Sequence, residues 1–175
     1  HRILGIVNGE DFQMILSDPP GIIKPAYELQ ASMMDFVKSA FEDADILVYM
    51  VELGEKTLKD ELFFKKLQGS KIPFLLLLNK MDISEQSILE EQIAYWQEQL
   101  PNAEIHPISA LHNFNVKEVF LRLVELMPAA PPYYPKDQLT DKPERFFVNE
   151  TIREKILQHY KKEIPYAVEI ETEEF

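Results

Sequence analysis

Apolar and polar positions along this chain alternate in two rhythms, one of period two or unbroken, the other helical. Ile3 to Val7 and Phe12 to Ser17 are short apolar runs separated by Asn8, Gly9, Glu10 and Asp11. An Asn-Gly step favours a tight turn with positive φ, so the pair predicts an antiparallel hairpin. Asp18-Pro19-Pro20-Gly21 ends it, because consecutive prolines offer no N–H to a continuing ladder. Leu29, Met33, Phe36, Val37 and Ala40 recur at helical spacing from Tyr27 to Phe41. Asp45 to Val51 then reads as a fully buried strand. The pattern repeats with a helix from Lys56 to Leu67, a strand from Ile72 to Leu78 and a helix from Ser84 to Leu100. A strand from Glu104 to Ile108 and a helix from Val116 to Leu126 complete it. Unbroken apolar strands alternating with amphipathic helices predict an α/β domain whose parallel sheet is covered on both faces.

The rhythm stops at Pro128-Ala129-Ala130-Pro131-Pro132-Tyr133-Tyr134-Pro135, which reads as a semi-rigid linker. Beyond it, Thr151 with Glu154 resembles a capping box, and Ile152, Ile156, Leu157 and Tyr160 share one helix face. Past Pro165, Val168 and Ile170 alternate with Glu169, Glu171 and Glu173 as in a half-buried strand. One helix and one strand do not close a core, so only the beginning of a second domain is expected here. The division is 1–127 for the α/β domain, 128–145 for the linker and 146–175 for the second unit.

Composition narrows the classes. The chain has 175 residues, 46% of them apolar, enough for a substantial core. There is no cysteine, which excludes disulfides and thiolate metal sites and suits a cytoplasmic setting. No run approaches the ~18 apolar residues of a membrane span. The net charge of −12 opposes non-specific binding to nucleic acid or to an anionic membrane by this segment. His106, His112 and His159 lack metal-ligand spacing and read as surface or helix-end residues.

The chemistry concentrates at the strand ends. Asn79-Lys80-Met81-Asp82 follows the apolar run Ile72 to Leu78, and N-K-x-D after a buried strand is a guanine-reading pattern. Guanine presents two nitrogen donors on one edge, and a single carboxylate, Asp82, accepts both as a bidentate pair that adenine does not offer. Asn79 can bind the base and tie neighbouring loops together, while Lys80 can lay its aliphatic stem over the purine face. Ser109-Ala110-Leu111 follows the next strand, and its small residues let backbone N–H groups approach the guanine carbonyl. Asp18-Pro19-Pro20-Gly21 is a D-x-x-G element, in which Asp18 would hold Mg²⁺ through a water and the Gly21 N–H would touch a γ-phosphate.

In this order the motifs resemble the Era family of GTPases. The resemblance extends to His1-Arg2-Ile3 at the start, to Thr140-Asp141-Lys142-Pro143-Glu144-Arg145-Phe146, to Ile152-Arg153-Glu154-Lys155 and to Glu163-Ile164-Pro165-Tyr166. It implies a Ras-like P-loop GTPase domain, a three-layer α/β sandwich with a mostly parallel sheet, followed by the start of an α+β KH domain. The implied ligands are GTP or GDP with Mg²⁺, and the implied activity is GTP hydrolysis. The implied partner is small-subunit (16S) ribosomal RNA in the pre-ribosome, contacted through the KH domain. The resemblance further implies a cytoplasmic monomer and leaves room for peripheral association with the inner membrane. Two other readings stand beside it: a related GTPase of tRNA modification or ribosome assembly, and a non-hydrolysing interaction module that keeps the guanine boxes.

Three departures qualify the resemblance. Pro19 stands where Era-like chains usually carry threonine, removing a hydroxyl and an N–H. Ile22, in the second switch region with Gly21, occupies the position of the water-orienting glutamine in Ras-like proteins. Neither G-x-x-x-x-G-K-[ST] nor G-x-x-G occurs in these residues, and the last glycine is Gly69. The expectation is therefore of a family member missing both its phosphate-loop strand and the rest of its KH domain. That strand would sit mid-sheet, so its absence should expose two unpaired edges and leave the chain unable to fold stably alone.

Overall fold

The computed structural model describes residues 3–18, 38–55, 61–159 and 170–172. Strands β1 (Ile3–Asn8) and β2 (Gln13–Asp18) form the expected antiparallel hairpin, in register from Ile3 opposite Asp18 to Asn8 opposite Gln13. The turn differs from expectation. Gly9 is not in the left-handed region; instead a Cβ there would lie 2.2 Å from Cε1 of Phe12. That ring cannot easily yield, because it packs edge-on against Phe120 with centroids 5.9 Å apart. Glycine is required at position 9 by this crowding and not by its φ.

Residues 38–43 are helical (α1) and lead to β3 (Leu47–Glu52). Next come α2 (Glu61–Gly69), β4 (Phe74–Asn79), a 3₁₀ turn (Met81–Ile83), α3 (Gln86–Gln99), β5 (Ala103–Pro107) and α4 (Val116–Leu126). Residues 27–37 and 56–60 of the two expected helices lie outside the described residues. β3, β4 and β5 form a parallel sheet with β4 in the centre. Because side chains alternate along a strand, β4 feeds two cores. Phe74, Leu76 and Leu78 pack with Val51, Leu67, Leu89, Trp96 and Leu100 beneath α2 and α3. Leu75 and Leu77 pack with Ile108 and Val119 beneath α4. Helices thus cover both faces, as the unbroken apolar run of β4 demands.

β3 corrects an expectation. It was expected to be fully buried, yet only Val51 is; Val48 and Met50 are 45% and 52% exposed. The cause is its place at an edge. Among the described residues β3 pairs only with β4 and β2 only with β1. Between these two edges runs a cleft of ≈ 1290 Å³, bordered by Leu16, Asp18, Val48 and Met50.

The proline-rich segment, expected as a semi-rigid linker, is anchored on the hairpin. Gln13 accepts the Tyr133 and Tyr134 N–H groups at 2.8 and 2.9 Å and donates to the Tyr134 carbonyl at 2.8 Å. Further along, Ile6 N–H donates to the Leu139 carbonyl (2.8 Å), and the Thr140 hydroxyl donates to the Leu4 carbonyl (2.7 Å). Leu4 N–H donates to Asp141, so residues 138–141 run antiparallel along the outer edge of β1. This covers an edge that would otherwise present unpaired backbone groups.

Helix α5 (Glu144–His159) begins seven residues before the expected cap. Thr151 lies mid-helix, its hydroxyl donating to the Phe147 carbonyl at 2.8 Å, so it caps nothing. Pro143 sets the true start, since a proline is tolerated ahead of the first turn but breaks a helix interior. Ile152 and Leu157 remain partly exposed. Of the strand expected around Val168 and Ile170, only 170–172 are described, and they are not in a strand.

Candidate functional site

Both sequence boxes at the ends of β4 and β5 are brought together. Asn79 is the last residue of β4, and its Oδ1 accepts the Ala110 N–H at 3.1 Å. The chain then turns sharply: Lys80 is left-handed, with φ 65° and ψ 33°. This starts the 3₁₀ turn that carries Asp82, while Met81 N–H donates to the Ile108 carbonyl at 3.2 Å. Two bonds therefore stitch the β4 loop to the β5 loop, one of them through the Asn79 side chain. The Ala110 N–H, expected to face the guanine carbonyl, is the group Asn79 engages.

Ser109 is buried, and residues 109 and 114 exchange paired backbone hydrogen bonds that close a small loop. Asn113 and Asn115 hold left-handed φ values of 55° and 56°, a conformation Asn tolerates better than most residues. Asn115 Nδ2 anchors the loop by donating to the Pro107 carbonyl at 2.8 Å. Ala110 and Leu111 are exposed on its rim, with Leu111 81% exposed.

The charges here are specific. Asp82 is held below the ordinary carboxylate range, chiefly by the hydrogen bond from the Ser109 side chain. Burial, the next-largest influence, opposes this, while its own backbone N–H, His112 and Lys80 reinforce it. The Asp82 carboxylate is thereby kept ionised. The Lys80 ammonium sits 2.8 Å from Glu52 at the end of β3, which holds its stem across the mouth between the strand ends. Met50 reaches the same place, its Sδ 3.6 Å from Asn79 Nδ2.

Asp18 is the exposed final residue of β2 and lines the cleft that Met50 also lines. Gly21 and Ile22 lie outside the described residues. No cluster of three or more His, Cys, Asp or Glu that could hold a metal occurs among the described residues. Asp18 alone is the type of oxygen donor that Mg²⁺ takes, one carboxylate being enough where water and phosphate supply the rest. Sequence reasoning missed two residues at the site. Glu52 lies just past the expected strand and was not singled out, and His112, read as a surface residue, has its Nε2 3.6 Å from Asp82 Oδ2.

A base-reading carboxylate, an Asn that ties two loops, and a placement beyond the carboxyl ends of parallel strands define the nucleotide end of a Ras-like α/β domain. Two solved structures share the fold. Era in complex with MgGDPNP and nucleotides 1506–1542 of 16S ribosomal RNA superposes with a TM-score of 0.82 at 30% identity, over 94% of this chain and 57% of that one. A variant of Aquifex aeolicus Era bound to GDP·AlF₄⁻ gives the same values. GTPase Era of Alkaliphilus metalliredigens is 34% identical over 173 residues, 98% of this chain and 59% of its own length. GTPase Era of Staphylococcus haemolyticus is 37% identical over 99% of this chain and 58% of its length. The chloroplastic ERA-like GTPase of Arabidopsis thaliana is 36% identical over 97% of this chain and 41% of its length. No protein-family model matches the chain. The chain is similar to Era GTPases along nearly its whole length, and it spans less than two thirds of the length of the curated relatives it matches.

Proposed function

We propose that this chain carries the base-reading part of a GTPase that binds GTP and GDP, hydrolyses GTP and acts on the small ribosomal subunit through 16S rRNA. The observation that supports it most directly is the pairing of the two boxes. Asn79 holds Ala110, and Ser109 holds an ionised Asp82, so the guanine acceptor is fixed before any ligand arrives. Asp82 accepts guanine N1–H and the exocyclic amine, Asn79 fixes the loops around the base, and Lys80 covers its face. Ser109, Ala110 and Leu111 form the rim by the guanine carbonyl. Asp18 would bind Mg²⁺ through a water at the phosphate end, with Gly21 at the γ-phosphate. Mg²⁺, when bound, supplies charge neutralisation at the phosphates.

In this reading residues 1–127 belong to the GTPase domain, 128–145 to the linker, and 146–175 open a KH unit that meets RNA. The intact protein is a cytoplasmic monomer that associates peripherally with the inner membrane. The relatives with bound GDPNP, GDP·AlF₄⁻ and rRNA support the ligand classes. No helix among the described residues is long and apolar enough to cross a membrane.

The test is Asp82→Asn in the intact protein, with labelled guanine and xanthine nucleotides titrated into both forms. Loss of a charged bidentate acceptor should weaken guanine binding about 10- to 100-fold and admit xanthine nucleotides. An unchanged base preference would refute the role given to Asp82.

A further inference from the structure

Asp82 is not bare in this structure. Its carboxylate is engaged by Ser109, and beside it stands the imidazole of His112, with Nε2 3.6 Å from Oδ2. Position 112 is fixed from the backbone outward: the His112 N–H donates to Ser109 Oγ at 3.2 Å, within the loop closed by residues 109 and 114 and set by left-handed Asn113. The same serine therefore holds both the carboxylate and the backbone of the histidine beside it.

We propose that His112 is a positioning residue for guanine recognition, occupying one side of the Asp82 carboxylate when the base is away and yielding it when guanine binds. A bidentate pair with guanine needs both carboxylate oxygens free at the rim. An imidazole within ion-pair distance of Oδ2 contests one of them, and contests it more strongly when protonated. The proposal rests on the reading of Asp82 as the base acceptor and adds a competitor to that site. The other charged groups nearby are Lys80, which acts on Asp82 and is paired with Glu52 of β3, and Lys117 and Glu118, which open α4 beyond the loop. Within the loop itself, residues 109–115 carry no other charge. Because Ser109 keeps the Asp82 carboxyl below its ordinary range, Asp82 stays ionised where histidines titrate. The readout is the difference in pH profile between the protein and its His112 variants, because the terminal phosphate of GDP changes protonation over the same range.

The test measures GDP affinity and release rate of the intact protein, His112→Ala and His112→Gln, at about pH 8 and about pH 5.5, the two sides of the histidine range. An exposed ion pair is weak, so lowering the pH should weaken GDP binding about three- to fivefold more in the unaltered protein than in either variant. Both variants should lose that excess and should release GDP more slowly at low pH. Because the side chain is 63% exposed, neither change should disturb folding. If the variants keep the unaltered protein's pH profile while Asp82→Asn shifts base preference, the role of His112 is overturned and the base reading survives. If Asp82→Asn leaves base preference unchanged, both fall together.

Discussion

Replacing Gln13 by alanine should release the proline-rich segment from the hairpin while leaving the hairpin intact. The Gln13 amide makes three hydrogen bonds to that segment: two accepted from Tyr133 and Tyr134 N–H, one donated to the Tyr134 carbonyl. It makes a fourth, at 2.8 Å, to Asn8 Oδ1. At a net ~0.5–1.5 kcal/mol each, three neutral bonds would sum to a few kcal/mol. Tyr133 is 79% exposed, so water replaces part of the loss at the freed backbone groups. The expected cost to local docking is therefore about 1–2 kcal/mol, smaller than the full sum because exposed groups re-solvate. Hydrogen exchange reads it directly: the Tyr133 and Tyr134 amides should exchange about 5- to 30-fold faster. The Ile6 amide, held by the Leu139 carbonyl, should follow if the segment lifts as a unit. Backbone pairing of β1 with β2 does not depend on this side chain, so their cross-strand amides should keep their protection. Unchanged exchange at 133 and 134, with the hairpin intact, would refute the claim that this amide holds the segment.

Leu76, fully buried at the centre of β4, should cost about 2–5 kcal/mol when cut to alanine, read as a lower urea midpoint with an unchanged slope. Glu104 is held below the ordinary glutamate range, first by the hydrogen bonds from the Arg122 side chain at 2.6 and 2.8 Å. A depressed carboxyl pKa contributes stability that is present above the unfolded value and lost as pH falls through the folded one. Glu104→Gln should thus lower stability modestly at neutral pH and flatten the acid limb below about pH 4.3, where unfolded glutamate titrates. Urea melts across that limb check it, and identical curves for both proteins would deny the pair any role.

What could be read from the sequence follows from how local each signal is. β4 announces itself because five consecutive apolar residues feed two cores at once, and the helix from Val116 to Leu126 because Val119, Leu123 and Leu126 recur on one face. Both guanine boxes were legible because each is contiguous and lies at a strand end. The errors arose where the cause is remote. Val48 and Met50 are exposed because of what stands opposite β3, a fact their own apolar character does not carry. The role of Gly9 comes from a Phe12 ring held in place by Phe120, more than a hundred residues away in sequence. Thr151 satisfies the capping pattern with Glu154, yet Pro143 starts the helix earlier and turns the supposed cap into an interior threonine. His112 carried no signal, since its significance is a single proximity created by loop closure.

These placements divide the site into two ends with different mechanical support. Asn79, Asp82, Ser109 and Ala110 stand on the carboxyl ends of β4 and β5, tied to each other and rooted in the best-buried strand of the molecule. Opening that end would disrupt contacts beneath α2, α3 and α4 together, which makes it expensive. Asp18 stands instead on a hairpin that pairs with no strand of the β3–β4–β5 sheet, fastened through Phe12 to Phe120 of α4 and through Gln13, Leu4 and Ile6 to residues 133–141. Among the described residues, the hairpin that carries Asp18 is therefore joined to the segment leading into α5 by several direct hydrogen bonds. The two ends of the candidate site are supported separately, because they share no strand pairing among the described residues.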